Sequence, residues 1–200
     1  MRIKWLLFVL MGLVLNGCVT SPPRQIDNIC DIFDEKRGWY DDAHDASKKW
    51  GVPIPVMMAI IYQESRFQPK AKPPRTKILW IFPGPRKSSA YGFAQAKDDT
   101  WDWYKDQAGG WGADRDDFAD AIDFVGWYSD VSNKRSKIPK NDAYRLYLAY
   151  HEGHGGYNRG TWRKKPWLQS VAKKVSSRAA VYQRQLAKCE ERLKGGWWFF

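Results

Sequence analysis

Histidine and cysteine are scarce in this chain, with three of each among 200 residues. His151 and His154 stand in "AYHEGHGGYN" three positions apart, whereas a helical zinc-protease pair needs a spacing of four. Gly153, Gly155 and Gly156 would also break the helix such a pair must share. His44 is the one further imidazole, so no metal site is expected. Internal repeats and period-two strand alternation are missing too, which excludes a repeat array and points to a mainly α chain. No apolar run is long enough to span a membrane: Trp5–Leu15 is too short, and so is the terminal "WWFF". None of these shortages prevents folding. A domain of this length buries about two thirds of the surface its unfolded chain exposes, so its core requires neither metal nor disulfide.

What is present starts with a basic, apolar beginning. "MRIKWLLFVLMGLVLNGC" carries Arg2 and Lys4, then the apolar run, and reads as a secretory signal peptide over residues 1–17. Leu15-Asn16-Gly17-Cys18 resembles a bacterial lipoprotein box with Cys18 as the acylated residue, the alternative being an ordinary signal peptide. Val19, rather than Asp, after Cys18 implies the outer membrane, facing the periplasm, by resemblance to known lipoproteins. Several acyl chains would hold the protein firmly. Residues 18–29, with Pro22 and Pro23, read as a lipidated tether, and residues 30–200 as one domain. Export leaves Cys30 and Cys189 in an oxidising compartment, where a disulfide is expected in preference to two buried thiols.

Lys and Arg number 33 against 22 Asp and Glu, a net +11, and loss of Arg2 and Lys4 leaves +9. Such a balance favours anionic partners. Export argues against nucleic acid and leaves lipid headgroups or cell-wall glycan with its acidic peptides.

Helical signals follow one another. "DIFDEKRGWYDDAHDASKKWG" reads as one or two helices ending at Gly51. "VPIPVMMAIIYQESRF" is apolar on most sides, with Pro55 in a tolerant first turn, and predicts a buried helix. "QPKAKPPRTKILWIFPGPRKSS" reads as a loop on its prolines and glycine. Asp98 or Asp99 is expected to cap a helix through "TWDWY", and Asn141 or Asp142 one through "AYRLYLAYH". Phe118, Ala121, Ile122, Val125 and Tyr128 repeat at helical spacing. Val171, Val175, Ala179, Tyr182, Leu186, Cys189 and Leu193 mark the buried stripe of a long final helix. Twelve Trp, ten Tyr and nine Phe fill a core or line an aromatic cleft.

The sharpest chemistry is Glu64, at the end of the most apolar helix. Low dielectric and the negative end of the helix dipole both favour its protonated form, which a general acid near neutral pH requires.

"ESRF", "SSAYGFAQ", "TWDWY" and "AYHEGHGGYN", in that order, resemble the catalytic domain of lytic transglycosylases of the soluble (Slt-type) family. The likeness covers roughly residues 40–190, and its motifs fall on Glu64-Ser65, Gly92-Phe93-Ala94-Gln95 and Ala149-Tyr150-His151. It implies a lysozyme-like helical fold related to goose-type lysozyme. It implies that Glu64 protonates the glycosidic oxygen between N-acetylmuramic acid and N-acetylglucosamine in peptidoglycan. Glu64 then takes the proton of the muramic C6 hydroxyl as that oxygen closes a 1,6-anhydro ring. The resemblance further implies that Ser65 orients Glu64 or the sugar, that Gly92, Phe93, Ala94 and Gln95 line the cleft, and that Tyr150 lies near Glu64. His151, Glu152, His154 and Tyr157 are candidate cleft residues on the glycine-rich turn expected after Tyr150 or His151. No cofactor is implied, and a monomer acting on glycan strands is expected.

The chain departs from the family pattern in Phe93-Ala94 for Leu-Met, in His151 for Asn, and in a 31-residue spacing from Glu64 to Gln95. The excess is the basic, proline-rich stretch Lys72–Lys87, expected to rim the cleft or to be a solvated loop. Two other readings stand beside the first: a true hydrolase on the same fold, which needs a water-activating carboxylate, and a non-catalytic glycan-binding envelope lipoprotein.

Overall fold

Seven α-helices and one β-hairpin build the part of the chain that the computed structural model describes, residues 21–78 and 81–195. Cys18, the signal segment and the "WWFF" tail lie outside the described residues. The first predicted segment divides in two, α1 (Ile29–Glu35) and α2 (Trp39–Trp50), because Gly38 between them takes a left-handed φ of 97°. Gly51 closes α2 in the same left-handed region, its N–H bonded to the Ser47 carbonyl at 2.8 Å, the C-cap geometry glycine permits.

Helix α3 (Ile54–Ser65) is the central element. Ten of its twelve residues are buried, Gln63 and Glu64 being the others. It packs on α5 (Phe118–Ser136), α6 (Ala143–Arg159) and α7 (Pro166–Lys194), with α2 also against it. Pro55 occupies its first turn, where a missing N–H costs nothing. Helices α2 and α5 approach closely at Gly126: a Cβ there would lie 2.6 Å from the Trp50 ring. Asp123 on α5 accepts hydrogen bonds from the Trp50 indole and the Tyr104 hydroxyl, both at 2.7 Å. One carboxylate thus ties α2, α4 (Asp98–Tyr104) and α5 together. The stripe predicted for α7 is buried at Val175, Ala179, Tyr182, Leu186 and Cys189, and partly buried at Val171 and Leu193.

Three expectations are corrected. The loop predicted between α3 and α4 contains an antiparallel hairpin, β1 (Arg75–Ile78) and β2 (Phe82–Arg86), with a bulge between Arg75 and Lys77. Two strands are both edges, so Pro83 and Pro85 are tolerated there and the usual proline veto fails. Asp98 and Asp99 are not caps: Lys97 holds the N-cap position, and the two acids occupy the first turn, where they meet the positive end of the helix dipole. Helix α6 does not end at His151. It breaks at Gly153 (φ 70°, ψ 157°) and resumes to Arg159. Asp142 does cap α6, accepting from the Arg145 N–H at 2.9 Å.

Cys30 on α1 and Cys189 on α7 form a disulfide across a sequence separation of 159, their Cα atoms 6.1 Å apart. A cross-link closing so long a loop stabilises chiefly by restricting the unfolded chain. The Cys30→Ala/Cys189→Ala double variant is expected to lose about 2–5 kcal/mol of unfolding free energy, measured by urea titration; an unchanged midpoint would refute this.

Candidate active site

Glu64 owes its position to the way α3 ends. Arg66 adopts a left-handed conformation (φ 54°) and closes the helix, its N–H bonded to the Tyr62 carbonyl. The last turn therefore presents Glu64 sideways into a cleft of about 380 Å³. Burial pushes its carboxyl from a normal 4.5 up to about 7, and a hydrogen bond from the Tyr147 hydroxyl opposes that rise in part. Near neutral pH a substantial share of Glu64 is protonated, the state a proton donor needs.

Helix α6 supplies the opposite wall. Tyr147 and Tyr150 lie one turn apart and both feel the Glu64 charge. Tyr150 donates to the Ala94 carbonyl at 2.6 Å, so Tyr147, not Tyr150, makes the direct bond to Glu64. The sequence motif pointed to Tyr150 alone; the i, i+3 pairing of the two tyrosines was the available signal for Tyr147.

The 92–95 segment is a clasp. Gly92 has φ 80°, and a Cβ there would sit 2.0 Å from the Arg115 carbonyl oxygen, so only glycine fits. The Phe93 N–H donates to that same oxygen at 3.1 Å. Gln95 is left-handed at φ 50°, and its side-chain amide donates to the carbonyls of Ala71 (2.9 Å) and Gly92 (3.0 Å). A strained non-glycine residue held by two side-chain bonds is a frequent mark of a functional site.

Of the residues predicted for the site, the cleft brings together Glu64, Gln95, Tyr150, His151 and Glu152, with the Ala94 carbonyl held by Tyr150. Five do not line it. Phe93 is fully buried, against Trp39 and Phe118, so it builds the core behind the clasp. Gly92 lies behind it as well, against Arg115. The Ser65 hydroxyl is buried and donates back to the Ile61 carbonyl at 3.3 Å, so its proton is used within α3. Tyr157 stacks on Trp162 beyond the kink. The glycine kink also separates the histidines. His151 stays at the rim, edge-on to Trp167, while His154 is buried, stacked on Tyr128 and 3.0 Å from the Ser132 hydroxyl. Phe124, Tyr128, Thr100 and Lys97 also line the cleft and were not singled out for it beforehand. Among the described residues no tryptophan lines the cleft. Trp39, Trp101 and Trp127 are core. Of the basic stretch at 72–87, no described residue lines the cleft: Lys72 and Arg86 border an adjoining groove that meets the cleft at Ala90.

Glu152 is the second carboxyl of the cleft, and it behaves oppositely to Glu64. Burial alone would raise its pKa, but hydrogen bonds from Lys165, Thr161 and His151 more than reverse this and bring it to about 2. The Lys165 ammonium lies 2.7 Å away, and the carboxylate is 3% exposed. It is a fixed anion, not a proton donor.

The family model described as Transglycosylase SLT domain matches residues 6–189. The chain belongs to that family. Among curated proteins none matches the chain. The helical architecture is the lysozyme-like fold of the SLT domain, and the domain is one of glycan-cleaving enzymes acting on peptidoglycan. In this member the Glu64 carboxyl, the two tyrosines of α6 and the Gln95 clasp converge on one cleft.

Two outcomes follow. The folded state raises the Glu64 pKa, so between pH 4.5 and about 7 it retains a proton that the unfolded chain has released, and stability falls across that window. Glu64→Gln is therefore expected to be more stable than the parent above pH 7, by on the order of 2 kcal/mol after discounting the partial exposure of the carboxyl, and no more stable below pH 4.5; denaturant midpoints against pH check this. Tyr147→Phe removes a bond to the ionised carboxylate. The alkaline limb of the rate profile should move to higher pH and the maximal rate fall about tenfold.

Proposed function

We propose that this protein is a lytic transglycosylase that cleaves the β-1,4 bond between N-acetylmuramic acid and N-acetylglucosamine and releases a 1,6-anhydromuramic end. The observation that carries the reading is the opposed state of the two cleft carboxyls, Glu64 shifted up to about 7 and Glu152 locked as an ion near 2.

The Glu64 hydroxyl hydrogen passes to the glycosidic oxygen as the C1–O bond breaks and the glucosamine side leaves. The positive charge developing at C1 is stabilised by the substrate's own N-acetyl group. The Glu64 carboxylate then takes the hydrogen of the muramic C6 hydroxyl, and that oxygen bonds to C1. The carboxyl ends as it began and no water is consumed. Tyr147 holds the carboxylate between the two steps, and Tyr150 braces the Ala94–Gln95 wall.

A hydrolase needs a second carboxylate free to activate water. Glu152 is bound by Lys165, Thr161 and His151 and is too weak a base for that part. A pure glycan binder has no use for a neutral carboxyl at the end of an apolar helix. The N-terminal sequence supports the further proposal that the enzyme is exported and acylated at Cys18, and so works as a monomer at the outer membrane, on its periplasmic face.

Digestion of purified peptidoglycan followed by mass spectrometry separates the readings. Anhydro muropeptides, lighter by one water than reducing ones, are expected from the parent. Glu64→Gln should reduce them about 10²–10⁴-fold. Reducing ends instead would establish a hydrolase, and an absence of Glu64-dependent products would establish a binder. The rate should fall as pH rises through about 7, where Glu64 loses its proton. Cys18→Ser should move the protein from the membrane fraction to the soluble one, and retention in the membrane would overturn the anchor.

A further inference from the structure

A second groove lies on the far side of the catalytic helix. Ala59, Tyr62, Gln63 and Arg66 form one face of α3, and Ser170, Lys173, Lys174, Ser177, Arg178 and Val181 the facing edge of α7, around about 530 Å³. At 100° per residue Glu64 points roughly 100–160° away from that face. The groove and the catalytic cleft share no lining residue.

Its chemistry is one-signed. Four cations line it: Arg66, Lys173, Lys174 and Arg178. Asp27 is the carboxylate that reaches them, 2.9 Å from Arg178. Tyr62 is held between Arg66 and Arg178, whose guanidinium carbons lie 4.2 and 4.1 Å from its ring centre. Its hydroxyl accepts from both and donates to Asp27 at 3.2 Å. The floor is therefore rigid, and one positive charge is already balanced. The side chains of Gln63, Lys173, Lys174, Ser170 and Ser177 are different: they make no hydrogen bond or ion pair among the described residues. Lys173, Lys174, Ser170 and Ser177 are exposed. They form a row of unengaged donors along one edge.

We propose that this groove binds a short, extended, acidic peptide, of the kind borne by the peptidoglycan on which the family acts. Length agrees. Ser170 to Val181 covers about 16 Å of helix, which an extended peptide of about five residues spans at roughly 3.3 Å each. Shape agrees too. A concave channel with lysines on its rim and Ala59 and Val175 in its lining admits a narrow chain, whereas a flat lipid surface meets only protruding groups. The site would hold peptides of a strand next to the one being cut, because the catalytic helix stands between the two openings. The proposal rests on peptidoglycan as the substrate but not on the role of Glu64.

The test uses the full chain carrying Cys18→Ser, which removes the acylation site, and Glu64→Gln, which leaves the glycan intact. Co-sedimentation is measured with intact peptidoglycan, with glycan strands stripped of peptide by an amidase, and with phosphatidylglycerol vesicles. Adding Lys173→Glu/Lys174→Glu should weaken binding to intact peptidoglycan about tenfold and leave binding to stripped glycan unchanged. Arg184→Glu/Lys188→Glu, the same charge change on exposed positions of α7 outside the groove, should stay within about twofold of the parent. Equal losses in the two double variants would mean diffuse charge attraction and overturn the proposal. So would no loss on intact peptidoglycan, or a loss confined to the vesicles. Anhydro products from the chain with Glu64 restored report separately on the catalytic reading.

Discussion

A carboxyl group whose pKa lies near 7 needs an environment hostile to charge, and the helices packed around α3 provide it. Helix α3 is apolar on nearly every side, and α2, α5, α6 and α7 cover it. The dielectric around its last turn is accordingly low, and the Glu64 charge is costly. The elements that line the cleft are arranged around that fact. Helix α6 brings hydroxyls rather than cations, since an ammonium beside Glu64 would restore its acidity. The ammonium of Lys165 is spent on Glu152, and Lys97 lies at the exposed edge of the cleft.

The two carboxyls show how environment divides labour between identical chemical groups. Both are withdrawn from solvent, Glu64 deep in the apolar interior and Glu152 nearer the surface. Glu64 has one hydroxyl donor, which is too little to offset burial, and Glu152 has an ammonium, a hydroxyl and an imidazole. The difference of several pKa units comes from depth and partners together.

Much of this was legible in the sequence. The unbroken apolar run of α3 with Glu64 at its end, the Asp142 cap, the α7 stripe and the pairing of Cys30 with Cys189 all follow from local pattern or compartment. The hairpin was not, because Pro83 and Pro85 are strand breakers everywhere except on the edges that a two-stranded sheet consists of. Phe93 was misplaced for a different reason. A motif states which residues are near a site but not which side of the backbone each faces, and the left-handed turn at Gly92 rotates Phe93 inward onto Trp39. Tyr147 escaped because its chemistry depends on α6 crossing α3, a tertiary relation that spacing hints at without fixing.

The bridge between α1 and α7 has a mechanical side. A pull on the chain N-terminal to Cys30 cannot peel α1 away from the body, because the load crosses the sulfur link directly into the 29-residue final helix. Force entering there reaches the cleft around Glu64 only through α7 and its packing on α3, not through α1.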